Sequence, residues 1–190
     1  MNIKIRQMRQ EDLERLSQLS PEAEGQAPGS ASHKELIDFI VYPTIVAVAP
    51  WSVGERMVAN GEISQLALSS DGLVVGYAQF TFTADKIFHS RSIRVSRKFK
   101  NQGIGAMLCA ERVRLARAAG SMFHLYIIAA DGEEALKKIV IAQGMHLCCK
   151  FPGVWLYAQD LHEEEDPGYD EPEWHEERHG PHDEVISGGI

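Results

Sequence analysis

The sequence predicts an α/β protein of the α+β kind, with a mixed, mostly antiparallel central sheet of about seven strands flanked by about four helices. Two observations carry this. Between residues 62 and 95 apolar and polar positions alternate with period two across turn signals, and beyond residue 103 two stretches take helical spacing, each followed by a short apolar strand. A length of 190 residues, 44% of them hydrophobic, suits one substantial core and is short for two.

Residues 3–6 alternate as a first strand, and Leu13, Leu16 and Leu19 then fall at helical spacing. Residues 20–32 are rich in turn formers and read as a loop, a candidate mobile lip, ahead of a short helix over 33–41. An antiparallel meander follows: strands over 63–68, 73–82 and 87–95, the first two joined at Ser70-Asp71-Gly72. A helix over 103–119 ends at Gly120, which suits a left-handed cap. Residues 123–128 form a strand, 133–143 a helix stopped by Gly144, and 145–149 and 154–158 two last strands around Pro152-Gly153.

Charge is unevenly placed. Residues 163–184 hold eleven carboxylates against Arg178, a local net of −10, so a chain total of −8 leaves the rest at +2. A nearly neutral body gives no electrostatic case for nucleic acid. From residue 163 onward the composition is that of a segment unable to fold alone, giving a domain over 1–162 and an acidic, histidine-containing tail over 163–190. His175, His179 and His182 read as incidental to that tail rather than as a metal site, and no metal is expected. Neither a secretory leader nor a run of ~20 apolar residues is present, and three sparse cysteines fit a reducing compartment, so a cytoplasmic protein away from membranes is expected. Cys109, Cys148 and Cys149 read as packing residues.

The chemistry is concentrated in Val95-Ser96-Arg97-Lys98-Phe99-Lys100-Asn101-Gln102-Gly103-Ile104-Gly105-Ala106. A strand ends at Val95 and a helix opens at Gly103. A helix start presents unpaired N–H groups and the positive end of its dipole, and glycines let an anion approach the main chain. Neighbouring cations reinforce this, and a diphosphate is the natural occupant. Walker A is excluded because Gly105 is followed by Ala106-Met107. A dinucleotide fingerprint is excluded because the third glycine is missing and the turn follows a meander.

That segment resembles motif A of the GCN5-related N-acetyltransferases (GNAT), with Lys100 at a position where the family carries glutamine or arginine. The element order resembles the same superfamily over roughly residues 1–160. The resemblance implies an acetyl-CoA or other acyl-CoA donor, its pyrophosphate on the amides of Gln102, Gly103, Ile104, Gly105 and Ala106, near Lys100 and Asn101. It also implies that the strand through Ile93 and Val95 pairs with the pantetheine arm and carries a bulge whose N–H meets the thioester carbonyl. Asp131 resembles a family position near the next helix start, where it is equally an N-cap. Arg112, Arg114 and Arg117 stand as cations for the adenosine phosphate or as solvated side chains.

Acyl transfer to an amine needs a proton acceptor and a donor for the leaving thiolate. The family's base position maps onto His89, which also reads as an ordinary strand histidine. On strand parity it shares a face with Ile93 and Val95 unless a bulge intervenes. The family's thiolate-protonating tyrosine maps onto Val140, so Tyr126 and Tyr157 are the substitutes, with Tyr126 taken as the acid. The expected activity is acyl transfer to a primary amine of a small molecule or protein, in a monomer or homodimer. A non-catalytic acyl-CoA-binding module and a tail-mediated binder of basic partners are the competing readings.

Overall fold

The computed structural model describes residues 1–19, 33–130 and 134–161. The loop at 20–32, Asp131 and the tail with its histidines lie outside the described residues. Among the described residues the strands are β1 (Lys4–Gln7), β2 (Thr44–Ala49), β3 (Leu68–Ser69), β4 (Gly72–Phe82), β5 (Ile87–Val95), β6 (Phe123–Ala129), β7 (His146–Phe151) and β8 (Val154–Asp160). The helices are α1 (Leu13–Leu19), α2 (His33–Val41), α3 (Trp51–Ala59), α4 (Ile104–Ala118) and α5 (Glu134–Ala142). One sheet runs β1-β2-β4-β5-β6-β8-β7, with β3 added on β4, and every pairing is antiparallel except β5 with β6. The expected mixed, mostly antiparallel sheet is present.

Three elements depart from the sequence reading. Thr44-Ile45-Val46-Ala47-Val48-Ala49 is a strand buried along its whole length, with both faces covered. A run apolar at every position has no period-two signal to find. α3 follows directly from Pro50, and Gly54 lies so close to Leu68 and Leu73 that a Cβ there would collide with them. The expected strand at 63–68 is instead a 3-10 turn, Gln65–Ala67, with only Leu68 and Ser69 extended. Ile63 and Ala67 are buried while Leu66 is 78% exposed, a four-residue spacing rather than an alternation.

The sheet has a core on each face. Phe80, Phe88, Leu108, Val113 and Met57 pack under α3 and α4. Leu16, Leu19, Phe39, Val74 and Tyr77 pack under α1 and α2. Tyr126, Ile128 and Val140 continue the first layer beneath α5. The β1 corner is fixed by ions: Arg6 donates to both Asp12 oxygens at 2.7 and 3.0 Å and to Asp71 at 2.8 and 2.9 Å. Asp12, fully buried, also accepts from the Arg9 amide at 2.7 Å and from Ser69 Oγ.

Candidate active site

The site begins where β5 and β6 part. Their parallel pairing covers four residue pairs, from Ile87 with Phe123 to Ser90 with Tyr126, and then stops. Beyond that point β5 stays on β4 and β6 stays on β8, so the sheet opens as a V. A cleft of about 800 Å³ fills the V and passes from the α4 face to the α1 and α2 face.

At the parting β5 carries a bulge. Ala78 pairs with Ile93 and Phe80 with Ser90, so Arg91 and Ser92 together oppose the single residue Gln79. A bulge turns main-chain groups out of the ladder and reverses side-chain parity. Ile93 and Val95 therefore point to the α4 layer, packed against its core, and Arg94, opposite Tyr77, points to the α1 and α2 layer. His89 lies before the bulge, opposite Thr81 and beside Leu125. It is half-buried, on the face away from α4, and does not line the cleft. Tyr126 is buried and does line it.

β5 runs on through the 3-10 turn Arg97–Phe99 into the phosphate-type turn. Asn101 and Gly103 both take left-handed conformations, φ 61° and 78°, which curl the chain into the first turn of α4. Met107 N donates to Gly103 O at 3.0 Å, and among the described residues no amide of residues 101–106 reaches a main-chain carbonyl. A Cβ on Gly103 would meet nothing within 4 Å, so the space above that glycine is open; a Cβ on Gly105 would lie 3.3 Å from Ile139 Cδ1. Gly103 serves the turn's conformation, whereas Gly105 also lets α4 and α5 approach. Lys98 is ion-paired with Glu62 on the cleft wall.

Of the donor residues read from the sequence, Ile93, Val95, Lys100, Asn101, Gly103, Ile104, Gly105 and Ala106 line the cleft, and Gln102 does not. Arg112 is not a solvated phosphate cation. It is fully buried, its Nη2 donates to Cys109 Sγ at 3.2 Å, and its guanidinium lies 4.8 Å from the Tyr126 ring centroid. Arg114 is held by Glu111 at 2.8 Å. Cys148 and Cys149 are exposed rather than packed. Next to Tyr126 on β6, His124 is buried and shares a 2.6 Å hydrogen bond with Ser90 Oγ. Burial, and then the charge of Arg112, pull its pKa down to about 3, so the ring is neutral. Burial raises the Tyr126 phenol, and the charge of Arg112 opposes that rise.

The opposite mouth was not legible beforehand. Arg15 and Gln18 of α1, Asp38 of α2, Tyr77 and Gln79 of β4 and Arg94 of β5 meet there. Gln79 Nε2 donates to Asp38 O at 3.3 Å, tying the bulge's partner strand to α2. Among the described residues no group of three or more His, Cys, Asp or Glu is arranged to hold a metal ion, and no helix is long and apolar enough to cross a membrane.

Solved structures of known proteins share this fold. The chain is similar to an N-acetyltransferase from Staphylococcus aureus Mu50, with a TM-score of 0.60 at 20% identity over 85% of this chain and 99% of the other. It is similar to the ribosomal-protein-S18-alanine N-acetyltransferase from Escherichia coli, with a TM-score of 0.59 at 12% identity over 88% and 99%. The PaiA N-acetyltransferase from Thermoplasma acidophilum, solved in complex with coenzyme A, has a TM-score of 0.60 at 12% identity over 84% and 99%. At these identities the likeness is one of fold. A search of curated protein sequences gives no match. Residues 49–137, which contain the bulged strand, the glycine turn and α4, match the profile of the Acetyltransferase (GNAT) family. The match to the GNAT family profile over residues 49–137 and the fold shared with these N-acetyltransferases agree with the resemblance read from the glycine turn.

Proposed function

We propose that the protein transfers an acetyl or other acyl group from CoA to a primary amine, within a complex that holds both substrates. The observation that carries this is the continuity of the bulged stretch of β5, which leaves β6 after Ser90, with a turn whose amides reach no main-chain carbonyl among the described residues. The amides of residues 102–106 and the dipole of the fifteen-residue α4 suit the pyrophosphate, and the open space over Gly103 leaves room for it. The β5 edge through Ile93 and Val95 suits the amide groups of the pantetheine arm. That path places the thioester near the bulge, where a main-chain N–H of Arg91 or Ser92 can meet the developing oxyanion.

The chemistry then follows. The neutral amine attacks the thioester carbonyl, the C–N bond forms, and the nitrogen loses a proton as the tetrahedral oxyanion collapses. The C–S bond breaks and the thiolate takes a proton. Tyr126 is assigned as that acid: it stands at the last β5–β6 pair, lines the cleft and is kept protonated by burial. For the amine's proton, Asp38 lines the acceptor mouth, whereas His89 lies outside the cleft lining. Glutamine at 89 and asparagine at 38, compared through the pH dependence of kcat/KM, separate the two.

The test is thiol release from acetyl-CoA in the presence of a panel of primary amines, with CoA affinity measured by calorimetry. Turnover that depends on the amine supports the enzyme. Tight CoA binding without turnover across the panel supports the non-catalytic binding module instead.

A further inference from the structure

Arg6 and Arg15 stand nine positions apart and are both withdrawn from water, yet among the described residues only Arg6 has a counter-charge. Arg6, its side chain 9% exposed, is held between Asp12 and Asp71. Burial alone would lower its pKa, but those two carboxylates raise it instead. Arg15 is 6% exposed and touches no carboxylate among the described residues. Its Nε donates to Val74 O at 3.2 Å and its Nη1 to Gln18 Oε1 at 2.9 Å, and its Nη2 donates to no group among the described residues. Burial without a counter-charge brings its pKa down to about 10. A buried cation lacking an anion is destabilising, and such a charge is retained where a ligand completes it.

Its position says which ligand. Arg15 lines the cleft at the α1 and α2 mouth, across the sheet from the glycine turn. Arg94 lines the same mouth, turned that way by the bulge. Arg91, at the bulge itself, is stacked 3.8 Å over the ring of Tyr42, just past α2. Against these three cations the described residues of that mouth offer one carboxylate, Asp38. Carboxylates are the groups that a guanidinium fork recognises best in a desolvated setting.

We propose that the acceptor is an amine that also carries a carboxylate, as amino acids do, and that Arg15 binds this carboxylate with Arg94 as the second cation. The proposal rests on the acyltransferase reading. The amine end of such a molecule then extends toward the bulge and the thioester, while the carboxylate neutralises Arg15 where water is largely excluded. Donor and acceptor enter by opposite faces of the sheet.

The experiment uses the full chain, saturating acetyl-CoA and matched acceptors: amino acids and the same amines with the carboxylate replaced by hydrogen. The carboxylated member of each pair is expected to have a kcat/KM roughly tenfold or more higher, carried mainly by KM. In Arg15→Gln that ratio falls toward one, and Arg15→Lys restores part of it. Retained CoA binding shows each variant folded, and Arg94→Gln, which is less buried, lowers the same ratio if Arg15→Gln does not fold. Equal or faster turnover of amines without the carboxylate overturns the proposal, as does a folded Arg15→Gln that keeps the ratio. If no amine is turned over, the acyltransferase reading fails separately. The carboxylate site is then read by calorimetry of the CoA-bound protein with an N-acetyl amino acid: binding lost in Arg15→Gln supports it, and no binding to the parent chain overturns it.

Discussion

The guanidinium of Arg112 is stacked on the ring of Tyr126, 4.8 Å from its centroid, and among the described residues its Nε and Nη1 meet no acceptor within hydrogen-bond geometry. A cation left this bare inside the protein is poorly explained by stability alone. Beside Tyr126 it moderates the rise that burial imposes on the phenol. Tyr126→Phe is therefore expected to lower kcat by about 10²-fold with CoA affinity kept. Arg112→Met is expected to push the Tyr126 phenol further up, read from ultraviolet titration against the Tyr126→Phe variant. Its melting temperature should not fall, while kcat does, by about tenfold. A lower melting temperature with unchanged kcat would assign Arg112 to structure.

Gly103→Ala probes the turn. No atom lies within 4 Å of the added methyl, so its effect comes from the φ of 78° alone. Folding stability is expected to drop by about 1 kcal/mol in urea titrations. CoA affinity should fall by roughly tenfold or more, because any relaxation of φ redirects the first-turn amides. Equal CoA affinity in the two proteins would detach the turn from the donor.

His124 makes stability depend on pH. Its folded pKa of about 3 lies below the ordinary 6.5, so the unfolded chain takes up a proton that the folded one refuses. The stabilising contribution is complete above pH 6.5 and is lost as pH falls toward 3. Between pH 6.5 and pH 4.5 the parent should lose on the order of 2 kcal/mol more than His124→Asn, measured by denaturant unfolding at each pH. Parallel profiles would mean that the ring takes its proton without unfolding.

How much of this was readable beforehand depended on how far apart the participants lie in the chain. The donor half is contiguous: strand, cations and glycines occupy residues 87–106, and each leaves a local signature in composition or period. The bulge was expected on resemblance, but its position was not, and that position decides that His89 and Ile93 point to different faces. β2 was passed over because a strand covered on both sides has no alternation. The acceptor mouth draws Arg15, Asp38, Tyr77 and Arg94 from four elements, so no spacing rule relates them. Arg112 reads in the sequence as a phosphate cation or a solvated side chain, and only the tertiary fold shows it burying against Tyr126 of β6.

Asp12 tests the corner that positions α1. It is fully buried and accepts from Arg6, the Arg9 amide and Ser69. Asp12→Ala leaves Arg6 with Asp71 alone and orphans two further donors, and a cost of about 3 kcal/mol is expected from equilibrium unfolding. Since α1 carries Arg15, the acceptor KM should rise more than the affinity for CoA falls. A loss confined to the donor side would separate this corner from the acceptor mouth.

The parting of β5 from β6 after four residue pairs has an evolutionary consequence. On the donor reading, the strand, cations and glycines that would hold the nucleotide lie in one uninterrupted passage, residues 87–106, within the stretch that the family profile spans. The far side is assembled from scattered words. Drift in α1 or α2 can therefore exchange one acceptor for another without rewriting the donor passage, and descent can keep the cofactor while the customer changes.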